Sequence, residues 1–392
     1  MKQSFRNSYL SYTILYTFYF LSMALSSSFI SVYLLHRGYS ASQISIVVSA
    51  SFFISLILHP WIGYLFDHYE FKRLSLIMFV LSIASALLFI LSKSFLVTLL
   101  LYSALVLFVG GNDTIIERIA TGSPFSYGKI RIWGTIGYAL GTQFSGVLFD
   151  AIAPEAIYIA FVIATLICMI GFFGIEPKLN FEETEKDTEP VSISSLFKNK
   201  KFLYYLLLTA LITGVISVGH TYIPAMLTTR GLKASHASTI LSIAAICEAP
   251  FVLFSSRFMD RFSNKTLLAI TLSILLLQTG IYAIQLSMPL EILATLIGKQ
   301  LPDMLTIMIN LKIVNTIIDH RQQMLSLSVL RTVRSFASII LNNVAGRIID
   351  TSGYTMMYQL MFGILVLSAV LLYFYKIPSG NHQRLFTHEE SM

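Results

Sequence analysis

The sequence predicts an all-α polytopic membrane protein in which twelve transmembrane helices form two pseudo-symmetric six-helix bundles. The first observation is composition: of 392 residues, 55% are hydrophobic and only 12% are charged, with a mean hydropathy of +0.73. A soluble domain has about twice that charged fraction. The second observation is that apolar segments of about 20 residues, the length that crosses a bilayer, recur along the chain. The third is a repeat of short motifs between the two halves.

Twelve apolar segments can be placed along the chain. They cover roughly 10–35, 42–66, 73–92, 94–117, 127–150, 155–176, 202–227, 235–256, 265–288, 290–311, 324–349 and 354–375. The first is too long for a signal peptide, and no small-residue cleavage site follows it, so we expect it to span the membrane. The two cysteines, Cys168 and Cys247, both lie in apolar segments, which excludes a disulfide-stabilised secreted fold.

One long polar stretch separates spans six and seven and is typical of a flexible linker. It divides the chain into a first bundle at 1–176, a cytoplasmic linker loop at 177–201, a second bundle at 202–376 and a cytoplasmic tail at 377–392. The linker thus separates six spans from six.

Lysine and arginine counts predict the orientation. If the N-terminus is cytoplasmic, 19 of the 27 basic residues fall on the cytoplasmic side, five in outer loops and three within spans. Because cytoplasmic loops carry the excess of basic residues, we expect both termini and the linker in the cytoplasm. The net charge of +7 has the same origin, so no nucleic-acid partner is expected.

Two motifs occur once in each half. After span two the chain carries Gly63, Asp67, Lys72 and Arg73, and 193 residues later, after span eight, it carries Asp260, Arg261 and Lys265. In spans five and eleven an arginine precedes a Gly-x-x-x-Asp motif by 15 residues, at Arg131, Gly146 and Asp150 and again at Arg331, Gly346 and Asp350. The offsets of 193 and 200 residues predict two similar halves with a pathway between them.

Twelve spans in two sixes, the long inner loop and the Gly-x-x-x-Asp motif with its basic residues resemble the major facilitator superfamily. The resemblance implies that Asp67 and Asp260 pack against helix N-termini while the basic residues hold a cytoplasmic gate. The sequence departs from the family pattern at four positions: His68, Glu70, Ser256 and Ser263. These departures leave the charge pattern of the motif intact.

Charges inside spans are costly, so each one is a candidate functional residue. Asp113 and Arg131 lie nine residues on either side of Gly122, at the turn between spans four and five. A helical hairpin would bring them to the same depth, where they can pair, and Glu117 shares the face of Asp113. Alternatively, Arg131 only flanks the membrane and extends to the interface.

The segments 113–118 and 127–138 resemble the oligosaccharide–proton symporter family, which includes the lactose permease. The resemblance implies that Asp113 binds sugar, that Arg131 is its partner, and that Tyr138 stacks on the sugar ring. Tyr138 could instead be a packing residue. The glycines of the same span equally indicate close helix packing: Gly134, Gly137 and Gly141.

In the second half Glu248 is a carboxylate near the middle of span eight. The resemblance implies that it contacts both sugar and the proton network, although a role in cargo binding or helix packing alone is the alternative. Lys299 and Asp303, spaced i and i+4 around Pro302, are further candidates for proton coupling or a structural ion pair. The resemblance is looser here. His220 in span seven either lines a cavity or is a hydrogen-bonded core histidine.

The sequence therefore predicts a secondary active transporter of the plasma membrane that moves a small polar solute, a sugar or oligosaccharide, by proton-coupled symport with alternating access. We expect a monomer without cofactor or metal, since no P-loop or metal-ligand spacing occurs. The alternatives on the same fold are an importer of an aromatic acid or nucleoside and an efflux pump for amphipathic compounds. A membrane acyl or prenyl transferase is disfavoured, because neither H-x-x-x-x-D nor D-x-x-D is present.

Overall fold

A computed structural model describes residues 5–175, 196, 198–254, 259, 261–318 and 322–375. Within these residues the regular structure is helical, and helices occupy all twelve predicted spans. The predicted tail lies outside the described residues, as does the predicted linker apart from Leu196 and 198–201.

The described helices follow one another in chain order. They are α1 (Tyr9–Ser27), α2 (Ile30–His36), α3 (Ala41–His68), α4 (Phe71–Leu91), α5 (Phe95–Gly111), α6 (Asp113–Thr121), α7 (Tyr127–Ala151), α8 (Ala156–Phe173), α9 (Lys200–Thr229), α10 (Ala234–Leu253), α11 (Asn264–Ala283), α12 (Met288–Gly298), α13 (Leu301–Ile317) and α14 (Gln323–Phe374).

Three predicted spans each consist of two helices, and two other predicted spans lie within one helix. Span one consists of α1 and α2, span four of α5 and α6, and span ten of α12 and α13. Spans eleven and twelve lie in α14, where the chain turns at Gly353 with φ of 81°, a conformation that glycine adopts readily. By length and composition, nine of the described helical segments can cross a membrane.

Serine begins several of these helices. The hydroxyls of Ser8, Ser94 and Ser263 accept hydrogen bonds from the backbone N–H three residues later, at the starts of α1, α5 and α11. At the start of α3, Ser40 and Gln43 form a reciprocal capping box. Each cap satisfies an N–H that has no partner within its helix, a requirement that is stricter near a bilayer than in water.

The chain forms two compact units. The first contains Met1–Glu182 with Thr221–Ile246, and the second contains Glu183–His220 with Cys247–Met392. Helices α9 and α10 therefore each contribute to both units, whereas the sequence places the boundary of the bundles in the linker. The compact units group residues that pack together, whereas the predicted bundles group residues by their position along the chain.

Within the first unit, glycines on α7 allow backbones to approach closely. A Cβ at Gly137 would lie 2.1 Å from the carbonyl oxygen of Thr17, and one at Gly141 would lie 2.4 Å from that of Leu21. The prediction that this glycine stripe marks close helix packing is confirmed for these two positions. The same unit also contains a capped helix start, because Asp150 accepts a 2.7 Å hydrogen bond from the backbone N–H of Ser235.

Candidate functional site

The break in span four places Asp113 at a helix start. Helix α5 ends at Gly111 and α6 begins at Asp113, while the buried Asn112 between them donates from its side-chain amide to the carbonyl of Ser75 at 3.4 Å. A carboxylate in the first turn of a helix is favoured by the backbone dipole. The interruption thus gives Asp113 a favourable electrostatic position that the hydrophobic pattern of the span does not reveal.

Glu117 is the acidic residue of a first cluster, which consists of Phe20, Glu117, Tyr127 and Arg131. Its Oε1 lies 4.0 Å from Nε of Arg131, and its Oε2 accepts a 3.0 Å hydrogen bond from the hydroxyl of Tyr127. Both charged side chains are about one third exposed, at 33% for Glu117 and 36% for Arg131. The pair is therefore partly exposed.

Aromatic rings surround the guanidinium of Arg131. Its central carbon lies 5.0 Å from the ring centroid of Phe20. Gly134, one turn further along α7, leaves room for these groups, because a Cβ there would lie 2.8 Å from Tyr16 and 3.0 Å from Arg131 and Phe20. An arginine held over a ring is restricted in orientation.

Asp113 and Tyr138, the two other predicted residues of this site, lie near Glu117 and Arg131 in the sequence, and their roles stay predictions. The structure gives Arg131 an ion-pair distance to Glu117, and its pairing with Asp113 remains to be tested. Tyr138 is half-buried and packs against the buried core of the first unit. Both its packing role and its predicted stacking on a sugar ring are compatible with this position.

The break in span ten mirrors the break in span four. Helix α12 ends at Gly298, α13 begins at Leu301, and Asp303 lies in the first turn of α13. Lys299 lies just after α12 and Asp303 lies in α13, and their charges interact electrostatically, so their ion pair stays a prediction. Pro302 explains the break, because proline is favoured in a first helical turn and cannot continue a preceding one.

His220 lies between Lys299 and Asp303. Its Nδ1 lies 3.4 Å from Nζ of Lys299, and its Nε2 lies 3.6 Å from Oδ2 of Asp303. The other carboxylate oxygen of Asp303 lies 3.5 Å from a terminal nitrogen of Arg334. One histidine, two cations and one carboxylate from α9, α14 and the region of span ten thus form a second cluster, and the role of His220 in it stays a prediction.

Glu248 lies on α10 in the second unit and is half-buried. Its Oε2 accepts a 3.4 Å hydrogen bond from the side-chain amide of Gln300, which lies in the interruption of span ten. This neighbour could not be found from sequence, because it is 52 residues away.

The motif after span two lies where α3 meets α4. Gly63 and Asp67 lie near the end of α3, Lys72 and Arg73 in the first turn of α4, and of these four only Lys72 is half-buried while the others are exposed. In the second copy, Asp260 lies outside the described residues and Arg261 is exposed. Lys265 donates a 2.8 Å hydrogen bond to the carbonyl of Tyr373 and lies 5.8 Å from its ring centroid. The basic end of this copy is thus tied to the end of α14.

Sequence reasoning missed several members of both clusters. Tyr127 belongs to the segment that resembles sugar symporters, and Arg334 is one of the few charges within a span, so both carried a usable signal. Phe20 and Gln300 carried none, since an aromatic residue and an amide are common in membrane helices.

Comparison with known proteins gives the family. Residues 12–298 match the Major Facilitator Superfamily. An uncharacterized transporter of Bacillus subtilis (strain 168), YwbF, is 23% identical over 284 residues, which are 71% of this chain and 70% of that protein. A maltose permease of Geobacillus stearothermophilus is 26% identical over 266 residues, 65% of this chain and 67% of that protein. A sucrose permease of Escherichia coli is 28% identical over 168 residues, 38% of this chain and 40% of that protein.

Solved structures agree on the fold. The nucleoside transporter NupG superposes with a TM-score of 0.77 at 16% identity, covering 93% of this chain and 97% of that one. A D-xylose–proton symporter superposes with a TM-score of 0.72 at 13% identity, covering 95% and 98%. Identities this low establish the fold and leave the substrate open. The twelve helical spans, the repeated halves and the match over most of the sequence lead to one conclusion: the chain belongs to the Major Facilitator Superfamily and is a multi-pass membrane transporter, not an enzyme.

Proposed function

We propose that this protein imports a sugar or small oligosaccharide across the plasma membrane by alternating access, together with protons. The observation that carries the proposal is the acid–base pair of Glu117 and Arg131 with Tyr127 and the ring of Phe20 around it. The relatives described as sucrose and maltose permeases support the same solute class.

The chemistry of the first cluster suits a hydroxylated solute. A carboxylate accepts and a guanidinium donates charge-assisted hydrogen bonds, and sugar hydroxyls do both. Aromatic rings bind the apolar face of a sugar ring, which neither Glu117 nor Arg131 can contact favourably.

The second cluster suits proton coupling. Glu248, Asp303 and Lys299 remain the candidates, together with His220, which contacts two of the cluster's charged groups. Glu248 accepts a hydrogen bond from the Gln300 amide and interacts electrostatically with Lys299. We assign the proton-responsive role to Glu248 because it is a carboxyl group near the middle of a span, where carrying a charge is costly and a proton can be gained or lost.

The test is uptake by the full-length protein in proteoliposomes with an imposed pH gradient, acidic outside. Radiolabelled maltose, sucrose and lactose are compared with uridine and benzoate. We expect accumulation of at least one sugar that collapses when a protonophore is added. Accumulation of uridine or benzoate alone would replace the sugar assignment, and sugar accumulation insensitive to the protonophore would remove the proton.

A nucleoside or aromatic-acid importer and an efflux pump for amphipathic compounds remain the alternatives. The same vesicles distinguish them, because efflux predicts loss of a preloaded amphipathic dye. The aromatic rings beside Arg131 can also stack on a nucleobase, and competition of unlabelled uridine against labelled sugar tests that reading directly.

The orientation is part of the proposal. The excess of basic residues predicts that both termini and the central loop are cytoplasmic. An alkaline phosphatase fused at residue 185 should therefore be inactive, and the same enzyme fused at residue 93, in a predicted outer loop, should be active. The opposite pattern would overturn the assignment of spans.

A further inference from the structure

The contacts of His220 fix which of its ring nitrogens carries hydrogen. Nδ1 faces the ammonium of Lys299 at 3.4 Å, and Nε2 faces the carboxylate of Asp303 at 3.6 Å. An ammonium group only donates hydrogen bonds, and an ionised carboxylate only accepts them. The 3.4 Å contact with Lys299 is therefore a hydrogen bond only if Nδ1 presents its lone pair. The carboxylate of Asp303, 3.6 Å from Nε2 and so beyond hydrogen-bonding distance, favours hydrogen on Nε2 through its negative charge.

A proton added to this ring has one place to go. It binds to Nδ1, the atom that faces Lys299, and turns an acceptor into a donor. Two donors and two positive charges would then face each other at 3.4 Å, so Lys299 must move away. The opposite contact strengthens, because Nε2–H of a charged ring is more strongly attracted to the carboxylate of Asp303.

The groups around His220 can receive the released cation. Arg334 occupies the far oxygen of Asp303 at 3.5 Å and keeps that carboxylate in place. Lys299 also interacts electrostatically with Glu248, whose Oε2 accepts a hydrogen bond from Gln300. Across α9, α10, α14 and span ten, two cations and two carboxylates balance while His220 is neutral. One proton on His220 makes the cluster positive and favours Lys299 near Glu248.

The position of His220 along α9 adds a second observation. Pro224, four residues on within the same helix, has no N–H with which to bond the carbonyl of His220. Helices can bend where a proline removes such a hydrogen bond, so the contacts of His220 lie where α9 can change direction.

We propose that His220 is a proton-responsive positioning residue: neutral, it holds Lys299 beside Asp303, and protonated on Nδ1 it releases Lys299 at the point where α9 can bend. The proposal rests on the proposed proton-coupled function, because it names, besides Glu248, a second group through which protons act on the second cluster.

The test observes the ring directly. Full-length protein labelled with ¹⁵N-histidine is placed in lipid nanodiscs, and its ring nitrogens are followed by NMR as pH falls from 7.5 to 4.5. The His220→Gln variant identifies the resonances, with His220→Asn as the second variant if the first does not fold. We expect the neutral form with hydrogen on Nε2 at high pH and the doubly protonated ring at low pH.

The charges beside His220 predict the direction in which the midpoint of its protonation moves when each one is removed. Lys299→Gln removes a cation from Nδ1 and should raise the midpoint of this conversion by about one pH unit or more, a tenfold change in proton affinity. Asp303→Asn should lower it. His59→Gln, a histidine of the first unit that also neighbours a proline, should leave the His220 resonances unchanged. Hydrogen on Nδ1 in the neutral form, or an unmoved midpoint in Lys299→Gln, overturns the proposal.

These measurements need no solute, so they fail independently of the proposed function. If no tested sugar is transported yet the ring behaves as described, the solute assignment is wrong and the role of His220 stands. If labelled maltose accumulates but its pH profile is the same in His220→Gln and in the wild type, the transport function stands and the role of His220 is wrong.

Discussion

The polar clusters of the two compact units are built on equivalent helices but from different chemistry. In each, an interrupted span presents an aspartate in the first turn of its second segment, at Asp113 and Asp303. In each, an arginine of the next span contacts an acidic residue of the interrupted one, Arg131 with Glu117 and Arg334 with Asp303. The helix that begins each half supplies the contrast, since the first contributes the ring of Phe20 and the second contributes His220.

Because of this difference, one half of a repeated fold can recognise the solute while the other half responds to protons. A ring beside an acid–base pair offers a surface to a solute and does not titrate near neutral pH. An imidazole in the equivalent helix is a group that can take up a proton. A duplicated bundle can thus keep its helix breaks and arginines while one copy specialises in recognition and the other in response to protons.

The largest expected effect tests recognition in the first unit. Arg131→Gln and Asp113→Asn should each lower sugar uptake by about 100-fold or more, equivalent to about 3 kcal/mol, because each leaves a charge without its partner. Uptake by the Glu117→Gln variant shows whether Arg131 depends on Glu117 or on Asp113 as its partner. The measurement is uptake of labelled sugar at equal expression.

Arg118→Gln, an exposed arginine on the same short helix, is the matched control and should transport as the wild type does. Normal uptake in Arg131→Gln would reduce that residue to a membrane flank and remove the recognition half of the comparison.

The next effect tests proton response in the second unit. Glu248→Gln should lose gradient-driven accumulation and keep counterflow exchange, because exchange needs binding and movement but no net proton transfer. Glu155→Gln, at the start of α8, serves as the control carboxylate. If Glu248→Gln still accumulates solute at the wild-type level, Glu248 is not the coupling group, and Asp303 becomes the candidate to test.

A smaller effect concerns packing that is particular to the first unit. Gly137→Ala forces a Cβ to within 2.1 Å of the Thr17 carbonyl and should destabilise the protein by about 1–3 kcal/mol. Gly128→Ala, on the same helix with nothing within 4 Å, is the control and should be neutral or slightly stabilising. The apparent melting temperature in detergent measures both, and equal values would mean that α1 and α7 can separate freely.

The smallest effect compares the two copies of the loop motif. Lys265→Met loses an exposed hydrogen bond to Tyr373 and should slow uptake by less than about fivefold, since exposed charges contribute little. Lys72→Met in the other copy is the matched variant. A loss of more than tenfold in only one of them would show that the copies hold the gate unequally.

The sequence by itself determined the helical membrane fold, its twelve spans and its two halves. Apolar length and motif repetition are local properties, and a bilayer admits few architectures that satisfy every backbone group, so these patterns are enough. Sequence also identified Asp113, Arg131, Glu248, Lys299 and Asp303, because a charge within a span is costly enough to stand out.

Only the tertiary structure decided which groups meet. Glu117 lies beside Arg131, and His220 lies between Lys299 and Asp303, residues that are 79 and 83 positions away from it along the chain. Spacing rules apply within one helix, and both decisive spans are interrupted. The direction in which each side chain points follows from those breaks and from contacts between helices, which depend on the packing of the whole bundle and not on any local pattern.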